Sequence, residues 1–193
     1  MKKGLNLTDI LVTIVIAIVF GIVYKLWGPL WATVKPMGLH IEDLIYGMWF
    51  IAATVAFLII RKPGVALLAE TAAASAEFIT GSEFGLSVLV YGILQGLFAE
   101  LVFAAARYKR YDIMIVSIAA FASGVASLIG DYYQGYITSL ETWNLLLLVG
   151  ARLLGSVLIA GVFAYYLVKA LEATGVTNLV RPASKEDYDA LEK

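Results

Sequence analysis

Four ionisable side chains, Glu70, Glu77, Glu100 and Arg152, interrupt runs that are otherwise almost wholly apolar, and Gln95 is the one primary amide inside such a run. A charge at mid-bilayer costs about 2.5–3.5 kcal/mol on insertion scales. Each must therefore be paired, protonated, close to an interface or lining a watery cavity. Glu70 and Glu77 are seven apart, which on a helix returns the side chain to within ~20° of the same face. Tyr91 and Gln95, four apart, share another face, and Gly92 and Gly96 beside them let a second helix approach. Arg152 can pair with either glutamate, tying the third apolar segment to the sixth. One arginine does not compensate two glutamates at separate depths, so a carboxylate is left over. Near an outer cavity it suits a cationic or hydrogen-bond-donating ligand; a protonated glutamate is the other reading.

Six apolar segments must carry these groups: 8–28, 43–60, 64–80, 84–107, 112–131 and 145–171. Each approaches the ~20 residues that a helix needs to cross a bilayer. At 1.5 Å per residue, Glu77 lies roughly 5 Å from the outer end, Arg152 roughly 10 Å, Glu70 and Gln95 roughly 16 Å and Glu100 roughly 24 Å. Glu100 is thus close to the inner face, as a partner for Arg107 or Lys109 or as a snorkelling acid. Of 14 Lys and Arg, eleven fall on one side: Lys2, Lys3, Arg61, Lys62, Arg107, Lys109, Arg110, Lys169, Arg181, Lys185 and Lys193. Lys25 and Lys35 fall on the other, which places both termini in the cytoplasm. The first segment is too long for a cleavable signal and lacks a small-x-small cleavage pattern. The expected architecture is one all-α, membrane-embedded domain over 1–193, a six-helix multi-pass bundle in the cell membrane with a cytoplasmic tail at 171–193.

Composition agrees. Of 193 residues 61% are hydrophobic and 15% charged, too few charges to cover a soluble domain. The order Pro63-Gly64 predicts a type II turn and antiparallel neighbours on either side. Small residues recur at four-residue spacing, as in Ala69/Ala73, Ala72/Ala76, Ser123/Ser127 and Ser156/Ala160/Ala164, which lets backbones pack closely in lipid. Thr13, Ala17 and Gly21 form a similar ridge on the first segment, either packing within the bundle or docking another membrane subunit. All four tryptophans (Trp27, Trp31, Trp49, Trp143) map to the outer side, where an ordinary aromatic belt would mark both faces. The outer loops add Trp31, His40, Glu42, Asp131, Tyr132, Tyr133, Trp143 and Asn144 as candidates, and five acids there against two lysines favour a cation.

Several functions are excluded. No G-x-x-x-x-G-K-[ST] occurs, so ATP-driven work must come from partners. One histidine and no cysteine leave no metalloprotease motif, no thiolate and no Ser–His dyad in the membrane. Neither an enzyme, a cofactor, a metal site nor nucleic-acid binding is expected. Internal symmetry of the kind that marks many secondary transporters is not visible. A substrate-capturing subunit fits better than a proton-coupled transporter or channel for a small cation, in which Glu70, Glu77 and Arg152 would form a relay.

RKPGVALLAE (61–70), GSEFG (81–85) and GILQGLFAELVFAAARY (92–108) together resemble the YkoE-type substrate-binding S components of energy-coupling factor (ECF) ABC transporters. The likeness runs over the second to fourth segments in detail and the whole chain in architecture. It implies a six-helix S component that captures thiamine or its hydroxymethylpyrimidine precursor at the outer face. A transmembrane coupling (T) subunit and cytoplasmic ABC ATPases would be its partners, and toppling in the membrane its route of delivery. S components of this kind dock through small residues on helix 1, and Thr13, Ala17 and Gly21 match in kind, with Thr in place of one Ala. For such a ligand, Gln95 or Glu70 would grip the pyrimidine edge, Glu77 would face the thiazolium, Trp143 and Tyr132 would stack, and Asn144 would hydrogen-bond. Tyr91 and Arg152 complete the expected site.

Overall fold

Asn6 and Asp9 start the first helix as a reciprocal cap: Asn6 Oδ1 accepts the Asp9 N–H at 2.8 Å and Asp9 Oδ2 accepts the Asn6 N–H at 2.7 Å. From this cap α1 runs over Leu7–Val34 in a computed structural model that describes residues 4–180. A 3-10 turn, Lys35–Met37, and a longer 3-10 segment, Ile41–Phe50, lead into α2, Ile51–Ile60. There follow α3 (Val65–Ile79), α4 (Ser87–Ala105), α5 (Ile113–Tyr133) and α6 (Thr142–Ser156). A π-helical stretch, Val157–Phe163, joins α6 to α7 (Ala164–Ala173), and a 3-10 turn, Val176–Leu179, ends the described chain. No strand occurs among the described residues. The tail basic residues Arg181, Lys185 and Lys193 lie outside them, as do Lys2 and Lys3.

All ten residues of α2 are buried, the expected place for a helix that is apolar all round. It forms the axis of the bundle, with Phe57 stacked on Phe103 of α4 at 3.6 Å between ring centres. The segment expected as one helix over 43–60 is in fact two, 3-10 and then α, with the change at Phe50–Ile51. The join has a visible cause. The first N–H groups of α2 are taken by side chains from neighbouring helices: the Tyr24 hydroxyl accepts from Ala52 at 3.0 Å, and Glu70 Oε2 accepts from Ala53 at 3.1 Å.

Glu100 does the same for α3. Its carboxylate accepts the N–H groups of Gly64 at 2.6 Å and Ala66 at 3.0 Å, so it caps a helix N-terminus, where an anion is favoured. That corrects the expectation that it would pair with Arg107 or Lys109. Gly64 has φ +85°, as the third position of a type II turn requires, and α2 and α3 pack as neighbours. Gly92 and Gly96 of α4 lie against Ala74 and Leu67 of α3, so close that a Cβ at Gly96 would come within 3.1 Å of the Leu67 Cα.

Among the described residues, five helical runs are long and apolar enough to cross a membrane: Leu7–Met37, Ile41–Ile60, Ser87–Ala105, Ile113–Tyr133 and Thr142–Ala173. The sixth expected segment, α3, has only 15 residues, about 22 Å at the usual rise against a core of ~30 Å. It is sheltered between α1, α2 and α4, which is why it can carry Glu70 and Glu77, both buried. At one end of the bundle Asp9 pairs with Lys62, and Arg61 with Glu172 at 3.1 Å. The start of α1, the α2–α3 turn and the end of α7 therefore lie together.

The ridge Thr13, Ala17, Gly21 is turned inward. Thr13 is 1% and Ala17 3% exposed, and a Cβ at Gly21 would strike Ala76 and the Ala73 carbonyl of α3. The expectation that these residues form a docking face for a partner is corrected: their small size serves the α1–α3 contact. The face of α1 turned away from the bundle carries Leu11, Ile14, Ile18 and Ile22 instead.

Candidate ligand-binding site

A cavity of about 650 Å³ opens at the end of the bundle opposite the termini, between the end of α1, the long 3-10 segment, α3, α4, α5 and α6. Its shape follows from the 3-10 segment. Asp43, Tyr46 and Trp49 are spaced by three residues, and a helix with three residues per turn stacks such positions on one face. All three line the cavity. On an α-helix the same spacing would drift around the cylinder.

One wall is aromatic. Trp31, Trp49 and Phe84 meet edge to face, with ring centres 6.1 Å (Trp31–Trp49), 6.1 Å (Trp31–Phe84) and 5.6 Å (Trp49–Phe84) apart, and Tyr46 lies 5.2 Å from Trp49. The indole N–H of Trp27 holds the Ile45 carbonyl at 2.9 Å, which pins the 3-10 segment to α1.

A second, polar wall is built on Arg152 and adjoins the first at Tyr46. Its guanidinium bonds Asp43, Asp131 at 3.0 Å and the Ser127 hydroxyl at 3.0 Å, and lies 3.5 Å over the Tyr46 ring centre. Tyr91 donates to the other oxygen of Asp131 at 2.6 Å. Arg152 thus pairs with two aspartates and with neither Glu70 nor Glu77, which corrects both alternatives read from its depth. The lining holds five carboxylates, Glu42, Asp43, Glu77, Glu83 and Asp131, against Lys35 and Arg152. That balance favours a cationic or hydrogen-bond-donating guest.

Buried polar atoms without a partner concentrate here. Trp31 Nε1, Gln95 Nε2 and Glu42 Oε2 belong to cavity-lining residues, as do Trp49 Nε1 and Glu77 Oε2, whose side chains lie beside each other, while Asp9 Oδ1 and Glu70 Oε1 lie elsewhere. The other oxygen of Glu77 accepts from Ser82 at 2.9 Å. An unmet buried donor or acceptor costs about 1–3 kcal/mol. A guest that offers both donors and acceptors recovers part of that.

Of the eight residues expected from the sequence, Glu77, Tyr91, Gln95 and Arg152 line the cavity. Glu70 does not; it is fully buried behind the wall, bonded to Tyr24 and Ala53. Tyr132 is 62% exposed and packs edge-on against Tyr133, and Trp143 is 58% exposed with its indole N–H on Glu141 at 2.9 Å. Neither faces the cavity. Asn144 reaches it through His40, whose Nε2 lies 2.7 Å from Asn144 Oδ1. Tyr46 and Phe84 are absent from the residues expected from the sequence, where Asp43 counts only among the five outer acids. The period-three run of Asp43, Tyr46 and Trp49 was the available signal.

Residues 8–126 match the family described as the permease component of an ABC-type cobalt transport system. A Bacillus subtilis protein named as an HMP/thiamine permease, YkoE, is 40% identical over 134 residues, which is 69% of this chain and 67% of that one. A crystal structure described as an S-component of an ECF transporter superposes with a TM-score of 0.87 at 37% identity, over 91% of this chain and 89% of the other. With this cavity and bundle, the chain belongs to that permease family as an ECF transporter S component of the YkoE type, a multi-pass cell-membrane protein and not an enzyme.

Proposed function

We propose that the chain is the substrate-capture subunit of an ECF-type ABC importer and that it binds thiamine, its hydroxymethylpyrimidine precursor, or both, on the extracellular side. The observation that carries this reading is the set of buried polar atoms without a hydrogen bond in the cavity lining, Gln95 Nε2 and Glu42 Oε2 together with Trp31 Nε1 of the aromatic wall itself. Thiamine is an aminopyrimidine joined to a cationic ring. The Gln95 amide, with donor and acceptor, complements the pyrimidine edge, and Glu77 beside Trp31 and Trp49 complements the cation. The name of the Bacillus subtilis relative supports the same ligand class.

The orientation belongs to the proposal. The sequence assigns eleven of 14 Lys and Arg to the side of the termini, and the positive-inside rule makes that side cytoplasmic, with the cavity facing out. The chain has no nucleotide-binding motif, so a coupling subunit and ABC ATPases supply the work. Thermal unfolding of the purified subunit against a panel of vitamins and precursors is the test. Thiamine or hydroxymethylpyrimidine at a hundredfold excess over Kd stabilises by about 2.7 kcal/mol. Absence of any shift with both compounds at millimolar concentration would refute the assignment.

A further inference from the structure

His40, Glu42 and Asp43 of the cavity lining each offer one ligand atom, and the three atoms lie within 4.8 Å of one another. His40 Nδ1 is 3.4 Å from Asp43 Oδ2 and 3.8 Å from Glu42 Oε1. Atoms held about 2.1 Å from one ion at tetrahedral angles lie about 3.4 Å apart. The ring is already oriented for such a role. Its Nε2 lies 2.7 Å from Asn144 Oδ1, and an amide oxygen only accepts, so Nε2 donates there and Nδ1 is the ring atom turned toward the two carboxylates. With Nδ1 deprotonated, as a metal ligand must be, three acceptors converge. Two further observations point outward from the cluster. Glu42 is only 6% exposed and its Oε2 has no partner. The other oxygen of Asp43 is held by Arg152, as ligating carboxylates and histidines are commonly held by an outer partner.

We infer that His40, Glu42 and Asp43 form a binding site for a divalent first-row transition-metal ion at the mouth of the cavity. One imidazole and two carboxylates form a borderline donor set suited to Zn²⁺ or Co²⁺, with coordination positions left for water or a ligand atom. Because all three ligands come from residues 40–43 and Asn144 belongs to α6, a bound ion fixes the entrance loop to that helix. The inference goes beyond the vitamin reading and does not depend on it, since the probe is the metal alone.

The test uses the full-length chain with a tag free of histidine, stripped with chelator and titrated with Co²⁺ while calorimetric heat and visible absorption are followed. One ion per chain is expected, displaced by Zn²⁺. Affinity falls at least tenfold in His40→Gln and in Glu42→Gln, and about tenfold in Asn144→Ala, the usual effect of losing an orienting partner. A gain of signal guards against variants that fold poorly. The chain has no cysteine, so His40→Cys should create a thiolate-to-cobalt charge-transfer band that the parent lacks. No saturable Co²⁺ or Zn²⁺ binding, or binding that His40→Gln and Glu42→Gln leave unchanged, overturns the inference; the converging carboxylates are then met by a proton on His40.

Discussion

The Tyr24 hydroxyl donates to Glu70 Oε2 across 3.0 Å, deep in the bundle and 46 positions away in sequence. Together they hold the N–H groups of Ala52 and Ala53, so side chains from α1 and α3 jointly cap α2. The point at which the 3-10 segment becomes α-helical is fixed by this pair. That in turn sets the face on which Asp43, Tyr46 and Trp49 meet the cavity. A glutamate that looks from sequence like a ligand group acts here one layer behind the ligand.

Glu70→Ala should therefore destabilise the subunit in the absence of any ligand, by about 1–3 kcal/mol, because the Ala53 N–H and the Tyr24 hydroxyl lose their acceptor. Tyr24→Phe should act in the same direction and the double variant should fall short of the sum, since one network is removed twice. Ligand-free melting temperatures check this. An unchanged value in Glu70→Ala would mean that the cap contributes nothing.

Glu77→Gln should behave differently. Glu77 accepts from Ser82 with one oxygen and has the Trp49 indole beside its carboxylate in the cavity lining. Losing the charge should weaken thiamine binding about tenfold, equivalent to ~1.4 kcal/mol, and leave hydroxymethylpyrimidine, which carries no cationic ring, almost unaffected. Binding isotherms for both compounds separate the two. Equal losses for both would remove Glu77 as the counter-charge.

What the sequence made legible was the pattern that a bilayer enforces. The apolar segments, the small residues that bring α3 and α4 together and the shared face of Tyr91 and Gln95 all follow from one-dimensional spacing. Partner choice does not. Arg152 reaches an aspartate 109 positions away on a segment whose 3-10 winding is set by Tyr24 and Glu70, and neither fact has a local signature. Spacing also places Thr13, Ala17 and Gly21 on one face of α1 without saying what that face meets. Tyr132 and Trp143 have the right chemistry for stacking, but Tyr132 at the end of α5 and Trp143 at the start of α6 both stay at the surface.

Arg152→Met should be among the most damaging substitutions. It leaves Asp43 and Asp131 buried and facing each other, and breaking a buried pair from one side costs about 3–5 kcal/mol. Adding Asp43→Asn and Asp131→Asn should restore part of the loss, because the uncompensated charges go with them. Thermal unfolding of the single and triple variants measures the recovery. A triple variant less stable than Arg152→Met alone would show that the charges were not the cause.

Gly21→Val tests the inward turn of the α1 ridge. Overpacking against Ala76 and the Ala73 carbonyl should cost about 1–3 kcal/mol in the isolated subunit. Ile18→Trp, on the face of α1 that is 51% exposed, should leave that stability unchanged. If Gly21→Val were neutral in the isolated chain and harmful only to assembly with a T subunit, the ridge would face outward after all.

Asp112 carries a pH dependence whose sign can be worked out. Its side chain caps α5, accepting the N–H groups of Met114 at 3.1 Å and Ile115 at 3.2 Å, and is bidentate to Arg110 at 2.9 and 3.0 Å. The Arg110 guanidinium, with the Ile115 N–H behind it, holds the carboxyl below its ordinary value. The folded chain thus takes up this proton less readily than the unfolded chain, whose carboxyl titrates near ~3.9. The contribution is complete above that value and is lost as pH falls through the lower folded one. Asp112→Asn keeps a capping oxygen and removes the titration. Its deficit in melting temperature against the parent should stay constant from neutral pH down to about 4 and shrink on further acidification. A deficit that widened in acid would reverse the sign and show that Arg110 does not stabilise the charged form.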